Sequence, residues 1–570
     1  MLVGIVLTVT AFLWLYRWET MRRRQREAML LAIVLACGAA IAMNVGFYLA
    51  SGDPLPFFLA RSPFDEGVGL DVILPLLELI LGGVAGWTLV TLRRSRNRPP
   101  AADGRPPPHV VVAGGGFAGV AAAKELEHRL GAEVRVTVVS DANYLLYTPL
   151  LPGAASGSLE PSAVAVPLRE ELRSADLLRA RVVGCDPDSR CLELEPLGLP
   201  EGPGRDTAAP ERVERLRYDH LIVALGSVSR PSDIPGLADH AIGFKTLEEA
   251  AALRNWILGT LERAEALEAP DARAPYLTYV FVGGGYAGLE GIASLQAFAD
   301  RALDVYPRCR AQGMRWILVQ SGERVLPETT PALAAFAARR LAERGVEILT
   351  GTSLSELAPE SARLSSGEVV RTRTVVWTAG VVAHPVTERL GLPLDERGRV
   401  RVDECLRVVG RSNVWAAGDA AAVADPAAGG RRPCPPTAQH ATRQGRLVGA
   451  NIAAVVAASP PAPYLYQARG LFVDLGARAA VTEVFGVRLR GFPAWLLGRS
   501  YHAMHMPGAA RKARLVLSWG LGGLSGPSVA DLRTLGHPRT LFGDYVGQSA
   551  GGTRLTDVEQ VLSGPGGGRR

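Results

Sequence analysis

Three apolar runs dominate the first part of the chain. Residues 28–50 form a run interrupted almost only by small residues, long enough at about 1.5 Å per residue to cross a hydrocarbon core of about 30 Å. Residues 70–92 form a second run that carries two acids, and residues 1–16 form a shorter third run. We therefore predict a membrane anchor of two to three transmembrane helices over residues 1–92.

Arginine clusters predict the orientation of this anchor. Residues 17–26 hold five arginines and residues 93–98 hold four, whereas the loop 51–69 holds one arginine against three acids. Because cytoplasmic loops carry the excess of basic residues, we expect a multi-pass protein of the cell membrane with everything after residue 93 on the cytoplasmic face. The sequence leaves open whether the N-terminal helices only anchor the chain or also contribute to a substrate site.

Beyond the anchor, the apolar pattern becomes that of an α/β domain. Residues 109–113 form a short β-rich run that leads into Gly-Gly-Gly-Phe-Ala-Gly, followed by a helical stretch and a second β-rich run. This order of strand, glycine turn, helix and strand makes a GxGxxG motif informative. Gly114 permits the tight turn, Gly116 lets the backbone approach a diphosphate, and Gly119 lets the helix pack on the strand. We predict a dinucleotide site.

The same glycine pattern recurs at residues 283–288, between a β-rich run at 279–282 and a helical stretch. Another β-rich run at 315–319 completes the unit. Two complete fingerprints predict two bound dinucleotides, because each unit places free N–H groups at the start of a helix. The pair favours FAD at the first site and a nicotinamide nucleotide at the second, with electrons passing between them.

Two further β-rich runs end close to the predicted flavin site. Residues 218–226 read YDHLIVALG, and residues 413–419 read NVWAAGD. Both are typical of strands that return the chain to a bound FAD, and the second would place Asp419 near the ribityl or diphosphate part. Asp419 is also a good helix N-cap, and the two interpretations are compatible.

Composition and charge exclude several functions. The chain has 570 residues, is 48% hydrophobic and 21% charged, and has a net charge of +6. The basic excess is concentrated beside the apolar runs, and no aromatic-basic motif accompanies it, so we predict no nucleic-acid partner. The six cysteines form no CxxC pair, which argues against a zinc module, a disulfide scaffold and a dithiol oxidoreductase. No metal site is predicted.

Three segments between these landmarks narrow the choice of flavoprotein. They are residues 143–161 (NYLLYTPLLPGAASGSLEP), 435–445 (PPTAQHATRQG) and 494–519 (AWLLGRSYHAMHMPGAARKARLVLSW). Together they resemble the type II NADH:quinone oxidoreductase family, over about residues 109–540. Disulfide reductases of the same superfamily place a redox dithiol where this chain has Tyr-Thr-Pro-Leu at 147–150. A site without thiols suits direct hydride transfer from a nicotinamide.

The resemblance implies a reaction in two halves. A hydride passes from NADH to FAD, and a quinone from the membrane then takes two electrons, without proton pumping. It also implies catalytic roles for Glu290, near the nicotinamide and flavin, and for Gln439, near the flavin and quinone. Glu290 could instead only stabilise a helix dipole. The predicted cofactor-binding residues are Gly114, Gly116, Phe117, Ala118, Gly119, Ser140, Asp141, Thr148, Pro149, Gly226, Gly283, Gly285, Tyr286, Gly288, Gln320, Gly380, Gly418, Asp419 and Ala438.

The acids expected at the ends of the second strands depart from the usual pattern. The first site has Ser140 followed by Asp141, so its acid comes one position later than is common. At the second site the expected acid is replaced by Gln320, with Arg324 nearby. Loss of that negative charge removes a repulsion against a 2′-phosphate. We expect NADH as the donor and leave NADPH open.

The C-terminal part combines aromatic, methionine and basic residues. Residues 492–519 carry this mixture, which favours a helix lying in the membrane interface against anionic lipid. An ordinary packed helix is the alternative. His502 and His505 lie three residues apart, and since no further ligand is near in sequence we interpret them as interfacial or core histidines.

Two other functions stay open from the sequence. A sulfide:quinone oxidoreductase would need two cysteines beside the flavin, and Cys185 with Cys191 or Cys434 is the conceivable set. A membrane-tethered sensor that binds FAD and NAD(H) with little turnover is the second alternative. A proton pump lacks support. A homodimer is left open.

The predicted fold is α/β, with two Rossmann-like domains, the second inserted in the first. Transmembrane helices precede them and a membrane-associating region follows. The predicted segments are the anchor (1–92), a Pro/Arg-rich linker (93–108), the FAD-binding domain in two parts (109–245 and 395–460), the NAD(P)H-binding domain (246–394), a quinone-side region (461–547) and a disordered tail (548–570).

Overall fold

The computed structural model describes residues 106–197, 213–466, 470–525 and 528–530. The chain divides into two units, Met1–Pro99 and Pro100–Arg570. The predicted N-terminal helices, most of the linker and the predicted tail lie outside the described residues. Among the residues that are described, no helix combines the length and the apolar character needed to cross a membrane.

The described part of the second unit alternates strands and helices. The strands are β1 His109–Ala113, β2 Arg135–Ser140, β3 Tyr144–Leu146, β4 Ala165–Pro167, β5 Asp176–Asp186, β6 Cys191–Pro196, β7 Glu214–Arg217, β8 His220–Val223, β9 Ser227–Ser229, β10 Ala241–Gly243, β11 Thr278–Val282, β12 Arg315–Gln320, β13 Val346–Thr350, β14 Leu354–Ala358, β15 Ser361–Leu364, β16 Val369–Arg371, β17 Thr374–Trp377, β18 Val381–Ala383, β19 Val400–Arg401, β20 Val414–Ala416, β21 Ala421–Ala422, β22 Gly470–Asp474, β23 Ala480–Val484 and β24 Val487–Gly491. The helices are α1 Phe117–Arg129, α2 Leu151–Ala155, α3 Pro161–Val164, α4 Leu168–Glu171, α5 Leu237–His240, α6 Leu247–Ala266, α7 Pro270–Arg273, α8 Tyr286–Ala302, α9 Pro307–Gln312, α10 Pro331–Ala342, α11 Ala438–Val456, α12 Phe492–His505 and α13 Ala509–Ser525.

The first large sheet has seven strands in the order β20-β8-β1-β2-β5-β6-β7. The five strands from β20 to β5 pair in parallel, and β6 and β7 extend the sheet antiparallel. In β1 the four residues 110–113 are fully buried, as expected for a parallel strand covered on both faces. Because β20 comes from residues 414–416, the chain contributes the last strand of this sheet only after the strands of the second sheet.

The second large sheet has five parallel strands in the order β10-β17-β11-β12-β13. Its edge strand β10 precedes residue 245, where we placed the domain boundary. The helix α6 then begins with a capping box, in which Thr246 Oγ1 accepts a hydrogen bond from the Glu249 N–H and the Glu249 carboxylate accepts one from the Thr246 N–H. This cap fixes the residue at which α6 begins. The α/β class is confirmed.

The C-terminal segment packs on both domains. Strands β22, β23 and β24 form an antiparallel sheet, and α12 packs against it. Val473 and Val481 belong to the core of the second domain, whereas Met506 and Leu515 belong to the core of the first. The segment therefore packs against both dinucleotide-binding units.

Candidate functional site

The first glycine loop connects β1 to α1 and leaves no room for side chains at two positions. Gly114 has φ +118°, and a Cβ atom there would lie 2.2 Å from the carbonyl oxygen of Ala224. A Cβ atom at Gly119 would lie 1.9 Å from the Gly114 carbonyl oxygen. The loop, the helix and the crossing strand therefore pack backbone against backbone.

Gly116 has the opposite environment. It is the N-cap of α1 with no side-chain cap, and a Cβ atom there would meet nothing within 4 Å. The first N–H groups of α1 thus face open space without a protein acceptor from a cap. An anionic diphosphate fits this cradle, because a helix N-terminus supplies both N–H donors and a positive dipole.

The second glycine loop, between β11 and α8, repeats this geometry. Gly283 has φ +117°, and a Cβ atom there would lie 2.6 Å from backbone atoms of Thr378. A Cβ atom at Gly288 would lie 1.9 Å from the Gly283 carbonyl oxygen, whereas Gly285 is open and caps α8 without a side-chain bond. The chain therefore has two cradles that fit a dinucleotide diphosphate.

The residues after the second strands differ between the two loops. Ser140 is buried under the first loop, where its Oγ would lie 2.7 Å from a Cβ atom at Gly115. Asp141 is exposed, as a ribose-binding acid must be. In the second domain, Gln320 Oε1 accepts a hydrogen bond of 2.8 Å from the Gly284 N–H. This neutral amide is tied to the loop at the position where the acid was expected.

The Arg324 side chain bonds its own loop and does not extend toward the second site. Its Nη1 donates to the Thr329 carbonyl oxygen at 3.0 Å and its Nη2 to that of Pro327 at 2.9 Å. The guanidinium thus holds its own loop in shape. A role in binding a 2′-phosphate would require breaking these two hydrogen bonds.

The first cleft lies between β18 and the first half of α11. It has a volume of about 540 Å³, and its lining includes Ser227, Gly418, Asp419 and Gln444. The Gly418 N–H donates to Gln444 Oε1 at 2.8 Å. Gly226, with φ +72°, has open space where a Cβ atom would be. Two of the residues predicted for FAD, Gly418 and Asp419, thus line one cleft.

Asp419 is held by two side chains from the start of the second domain. Ser227 Oγ donates to Asp419 Oδ2 at 2.6 Å, and Lys245 Nζ donates to Ser227 Oγ at 2.8 Å and lies 3.9 Å from Asp419 Oδ2. Burial lowers the pKa of Lys245, and the charges of Asp419 and Glu249 partly oppose this. Sequence reasoning missed Lys245. The signal it offered was being one of only three lysines, beside a domain boundary.

Helix α11 packs against α1 and covers the first site. A Cβ atom at Gly445 would lie 2.0 Å from the Ala118 carbonyl oxygen, and one at Gly449 would lie 2.7 Å from that of Ala122. The two helices are therefore in backbone contact near the N-terminus of α1. This contact brings Ala438, the first residue of α11, to the same end of the domain.

Four other residues that were predicted to bind cofactors do not share one location. They are Phe117, Thr148, Pro149 and Gly380. Phe117 contacts the Tyr147 ring edge-on, with centroids 5.8 Å apart. Thr148 is exposed, and Pro149 lines a second cleft. Gly380, with φ +95°, follows the strand that crosses the second glycine loop, and its N–H donates to the Thr378 carbonyl oxygen at 2.9 Å.

The second cleft has a volume of about 600 Å³ and contains Glu290. Burial is the main cause that raises the pKa of Glu290 to about 8; the nearby Asp474 carboxylate adds to this and a hydrogen bond from the Asp474 N–H opposes it. That N–H donates to Glu290 Oε1 at 2.9 Å. Burial also raises the pKa of Tyr286, on the same helix. Glu290 therefore keeps its proton at neutral pH.

Gln439 is tied to the strand that borders the second cleft. Its Nε2 donates to the Gly470 carbonyl oxygen at 3.1 Å, and its Oε1 accepts from Tyr466 Oη at 3.2 Å. Strand β22 begins at Gly470 and continues to Phe472 and Asp474, which line the cleft. Glu290 and Gln439 thus approach β22 from its two ends. Asp474 was missed from the sequence, since a lone acid after an apolar run carries no motif.

The thiols are separated and weakly acidic. In the β5–β6 pair Cys185 is opposite Leu192 and Cys191 is opposite Asp186, while Cys434 lines the first cleft. Burial is the main cause that raises the pKa of Cys185 to about 11 and that of Cys434 to about 12. Neither is poised to be a thiolate nucleophile.

No group of three metal-ligand side chains is present in the described ranges. His502 Nδ1 lies 3.5 Å from Tyr147 Oη, and His505 Nδ1 lies 2.9 Å from the Tyr501 carbonyl oxygen. His502 therefore contacts the first domain, whereas the exposed His505 contacts the backbone of its own helix.

Comparisons with known proteins agree with this geometry. Residues 108–445 match the family model described as pyridine nucleotide-disulphide oxidoreductase. A type II NADH:quinone oxidoreductase of Mycobacterium tuberculosis is 30% identical over 419 residues, covering 71% of this chain and 85% of the relative. A demethylphylloquinone reductase of Synechocystis is 28% identical over 389 residues, covering 67% and 88%.

A solved structure shares the fold. The structure of NDH2 from Plasmodium falciparum in complex with NADH superposes with a TM-score of 0.68 at 16% identity, covering 75% of this chain and 100% of that one. The chain belongs to the pyridine nucleotide-disulphide oxidoreductase family and, within it, to the type II NADH:quinone oxidoreductases.

Proposed function

We propose that the protein transfers a hydride from NADH to FAD and two electrons from the reduced flavin to a quinone, without pumping protons. FAD supplies the redox chemistry, and the protein binds, orients and tunes it. Relatives named as NADH:quinone oxidoreductases and a demethylphylloquinone reductase support the donor and the acceptor class.

One observation carries the proposal. Two open glycine cradles, at Gly116 and Gly285, occur in a chain whose second cleft is lined by apolar side chains and a protonated Glu290, with no cysteine in its lining. A dithiol enzyme of this superfamily would need thiols beside the flavin. The absence of cysteine from this lining favours a substrate that accepts electrons directly from the flavin.

The first cradle is proposed to hold the FAD diphosphate. Asp141 would accept hydrogen bonds from the adenosine ribose, and Asp419 would do so from the ribityl chain. Ser227 and Lys245 fix the Asp419 carboxylate in place. Ala438 and the start of α11 would lie against the flavin ring.

The second cradle is proposed to hold the nicotinamide nucleotide. Gln320 places no negative charge near the 2′-position of its adenosine ribose, so the site does not repel a 2′-phosphate. NADPH therefore stays open as a second donor. Tyr286, directly after Gly285, would cover the diphosphate.

Glu290 is proposed to supply a proton to the quinone. The overall reaction consumes NADH, one proton and a quinone, and it yields NAD⁺ and a quinol. A carboxyl group whose pKa is about 8 holds its proton at neutral pH and can release it when negative charge develops nearby. Gln439, held by its hydrogen bonds to Gly470 and Tyr466, would lie against the flavin and the quinone.

The C-terminal segment is proposed to contact anionic lipid. Apolar side chains more than half exposed in the described part of this segment are Phe485, Val487, Phe492, Val516 and Leu517. Exposed arginines, Arg488, Arg490 and Arg514 among them, lie beside them. This mixture suits a membrane interface. The anchor over residues 1–92 would then hold the enzyme at the cytoplasmic face, where a lipid-soluble quinone can enter.

The sulfide alternative is disfavoured by the thiols. Cys434 lines the first cleft, but burial keeps its thiol protonated, and it has no neighbouring cysteine there. The sensor alternative predicts the same binding of FAD and NAD(H) and differs from the proposed enzyme only in its low turnover. A homodimer remains a prediction.

An anaerobic titration of the purified full-length protein tests the proposal. The visible spectrum should show oxidised flavin, NADH should bleach it, and menadione should restore it with one quinone consumed per NADH. Normal bleaching without reoxidation by quinone would support a sensor. Bleaching by sulfide instead of NADH would replace the donor.

A further inference from the structure

The second cleft carries almost no net charge at neutral pH. Its titratable side chains are Glu290, Asp474, Arg499 and His502. Burial raises the pKa of Glu290 to about 8 and lowers that of His502 to about 4, so both are neutral. Asp474 and Arg499 are oppositely charged, and the charge of each opposes the effect of burial on the pKa of the other. Such a cleft suits a neutral, flat ligand better than a phosphate.

Arg499 is held between two aromatic rings of this cleft. Its Cζ atom lies 4.6 Å from the centroid of the Trp495 ring and 4.7 Å from that of Trp519. Stacking of this kind fixes the guanidinium plane and leaves its N–H groups directed outward in that plane. The two tryptophans come from α12 and α13, so the arrangement exists only when both helices are docked.

The hydrogen-bonding capacity of Arg499 is not used up. Its Nε is buried and has no hydrogen-bond partner among the residues that the structure describes. Buried donors in folded proteins are nearly always paired. Its two Nη groups also donate no hydrogen bond to the residues that the structure describes, and the Arg499 side chain lines the second cleft. A structural role, in which Arg499 only balances Asp474 and joins two helices, leaves these donors unexplained.

We propose that Arg499 orients the quinone headgroup in the second cleft by donating a hydrogen bond to one of its carbonyl oxygens. The assignment rests on the proposed function. The headgroup is a planar conjugated dione with two acceptor oxygens and no charge, which matches the apolar walls formed by Leu150, Phe472 and Trp519. Pro149 of the same wall comes from the segment next to the first domain's Tyr147, so the cleft reaches the flavin domain.

The proposed role requires no bond to Arg499. During quinone reduction two electrons enter the ring and both oxygens gain a proton, one originating in the nicotinamide hydride and one from solvent by way of Glu290. Arg499 keeps its protons throughout. Its charge stabilises the oxygen on which negative charge develops, as a fixed donor does for other developing oxyanions.

Quinone binding without turnover provides the first test. Menadione is titrated into the oxidised full-length protein without NADH, and the quenching of tryptophan fluorescence is followed. Saturable quenching is expected in the wild type, and it should decrease in a Trp495→Phe/Trp519→Phe variant, which keeps two aromatic faces. Wild-type quenching that does not saturate would overturn the proposal, whatever the variants do.

Substitution of Arg499 provides the second test. Arg499→Gln should weaken menadione binding and raise the KM for menadione by about tenfold or more, since a charged hydrogen bond is lost. The rate with ferricyanide, which does not need the cleft, should stay unchanged. Arg499→Lys keeps the charge opposite Asp474 but not the planar fork, so wild-type menadione affinity in this variant would overturn the proposal in favour of charge balance.

Arg339→Gln is the matched control. Arg339 also stacks on an aromatic ring, that of Phe336 at 5.6 Å, but lies on the surface of α10. Its replacement should leave menadione binding unchanged, and an equal loss in both variants would contradict a specific role for Arg499. Failure of the wild type to reduce menadione, with saturable quenching intact, would reject the proposed function and leave the binding site standing.

Discussion

The two glycine loops have nearly the same backbone and very different surroundings. Gly114 and Gly283 have φ values of +118° and +117°, and Gly119 and Gly288 both approach the first glycine of their loop with a Cβ distance of 1.9 Å. The first loop is covered by α11 and bordered by a charged network around Asp419. The second is bordered by the neutral Gln320 and by the cleft of Glu290. Identical local motifs therefore have different surroundings because of what the tertiary structure packs on them, and this difference underlies the different ligands that we propose for them.

The largest expected effect concerns the cover of the first loop. Gly445→Ala would place a methyl group 2.0 Å from the backbone oxygen of Ala118, and neither helix can yield without losing its packing. We expect a loss of at least about 3 kcal/mol in the free energy of unfolding and loss of bound FAD. Gly520→Ala, also helical but with nothing within 4 Å, is the control and should unfold at the wild-type denaturant concentration or above it.

Matched substitutions in the open cradles separate the two loops. Gly116→Val and Gly285→Val each add a side chain whose Cβ atom would meet nothing within 4 Å, so we expect little strain in the polypeptide itself. The first should abolish FAD binding, with a flavin content below about a tenth of the wild type. The second should retain flavin but raise the KM for NADH by about a hundredfold. Loss of flavin in both variants would contradict the assignment of ligands.

The pH dependence of stability tests the cleft of the second domain. Because the pKa of Glu290 is raised from the ordinary value of 4.5 for a glutamic acid to about 8 in the folded state, the folded protein binds more protons than the unfolded chain between these pH values. Stability from this group is therefore complete below about pH 4.5 and is lost as pH rises to about 8.

Glu290→Gln should remove this loss of stability, which amounts to a few kcal/mol. Denaturant titrations at about pH 5.5 and about pH 8.5 measure the difference. Quinone reduction by the wild type should also fall above about pH 8, when the carboxyl has lost its proton. Glu343→Gln, an exposed position in a surface ion pair, should leave the pH profile unchanged. A parallel profile for Glu290→Gln and wild type would contradict the buried-acid interpretation.

The smallest expected effect concerns the choice of donor. Gln320→Glu restores a negative charge at the end of β12, where it would repel a 2′-phosphate and accept from a 2′-hydroxyl. The ratio of kcat/KM for NADH over NADPH should rise by about tenfold, corresponding to about 1.4 kcal/mol. Steady-state rates with both donors measure it. An unchanged ratio would mean that the side chain at position 320 does not face the adenosine ribose. It would instead bond the N–H of the glycine loop, as Gln320 does in the structure.

Much of the fold was readable from local patterns. The glycine hexads after short apolar runs predicted both β-α-β units, and strands β1, β2, β11 and β12 occur where those runs are. This succeeds because a tight turn, a buried parallel strand and a helix N-terminus each impose residue types over a few positions.

Contacts between residues that are far apart in the sequence could not be predicted from local patterns. Lys245 reaches Asp419 only because the capped start of α6 places it beside the end of β20. Asp474 reaches Glu290 because β22 packs against α8. Neither side chain stands in a local pattern that would distinguish it from an ordinary surface charge.

The sequence by itself determined that this chain has two dinucleotide units, no dithiol and a family resemblance carried by three segments. These follow from short-range steric demands and from residue types that a local motif requires. The tertiary structure alone decided which carboxylates are charged, which arginine is enclosed by tryptophans, and which helix covers which loop. Burial and proximity set pKa values and binding geometry, and both arise only when distant segments of the chain pack together.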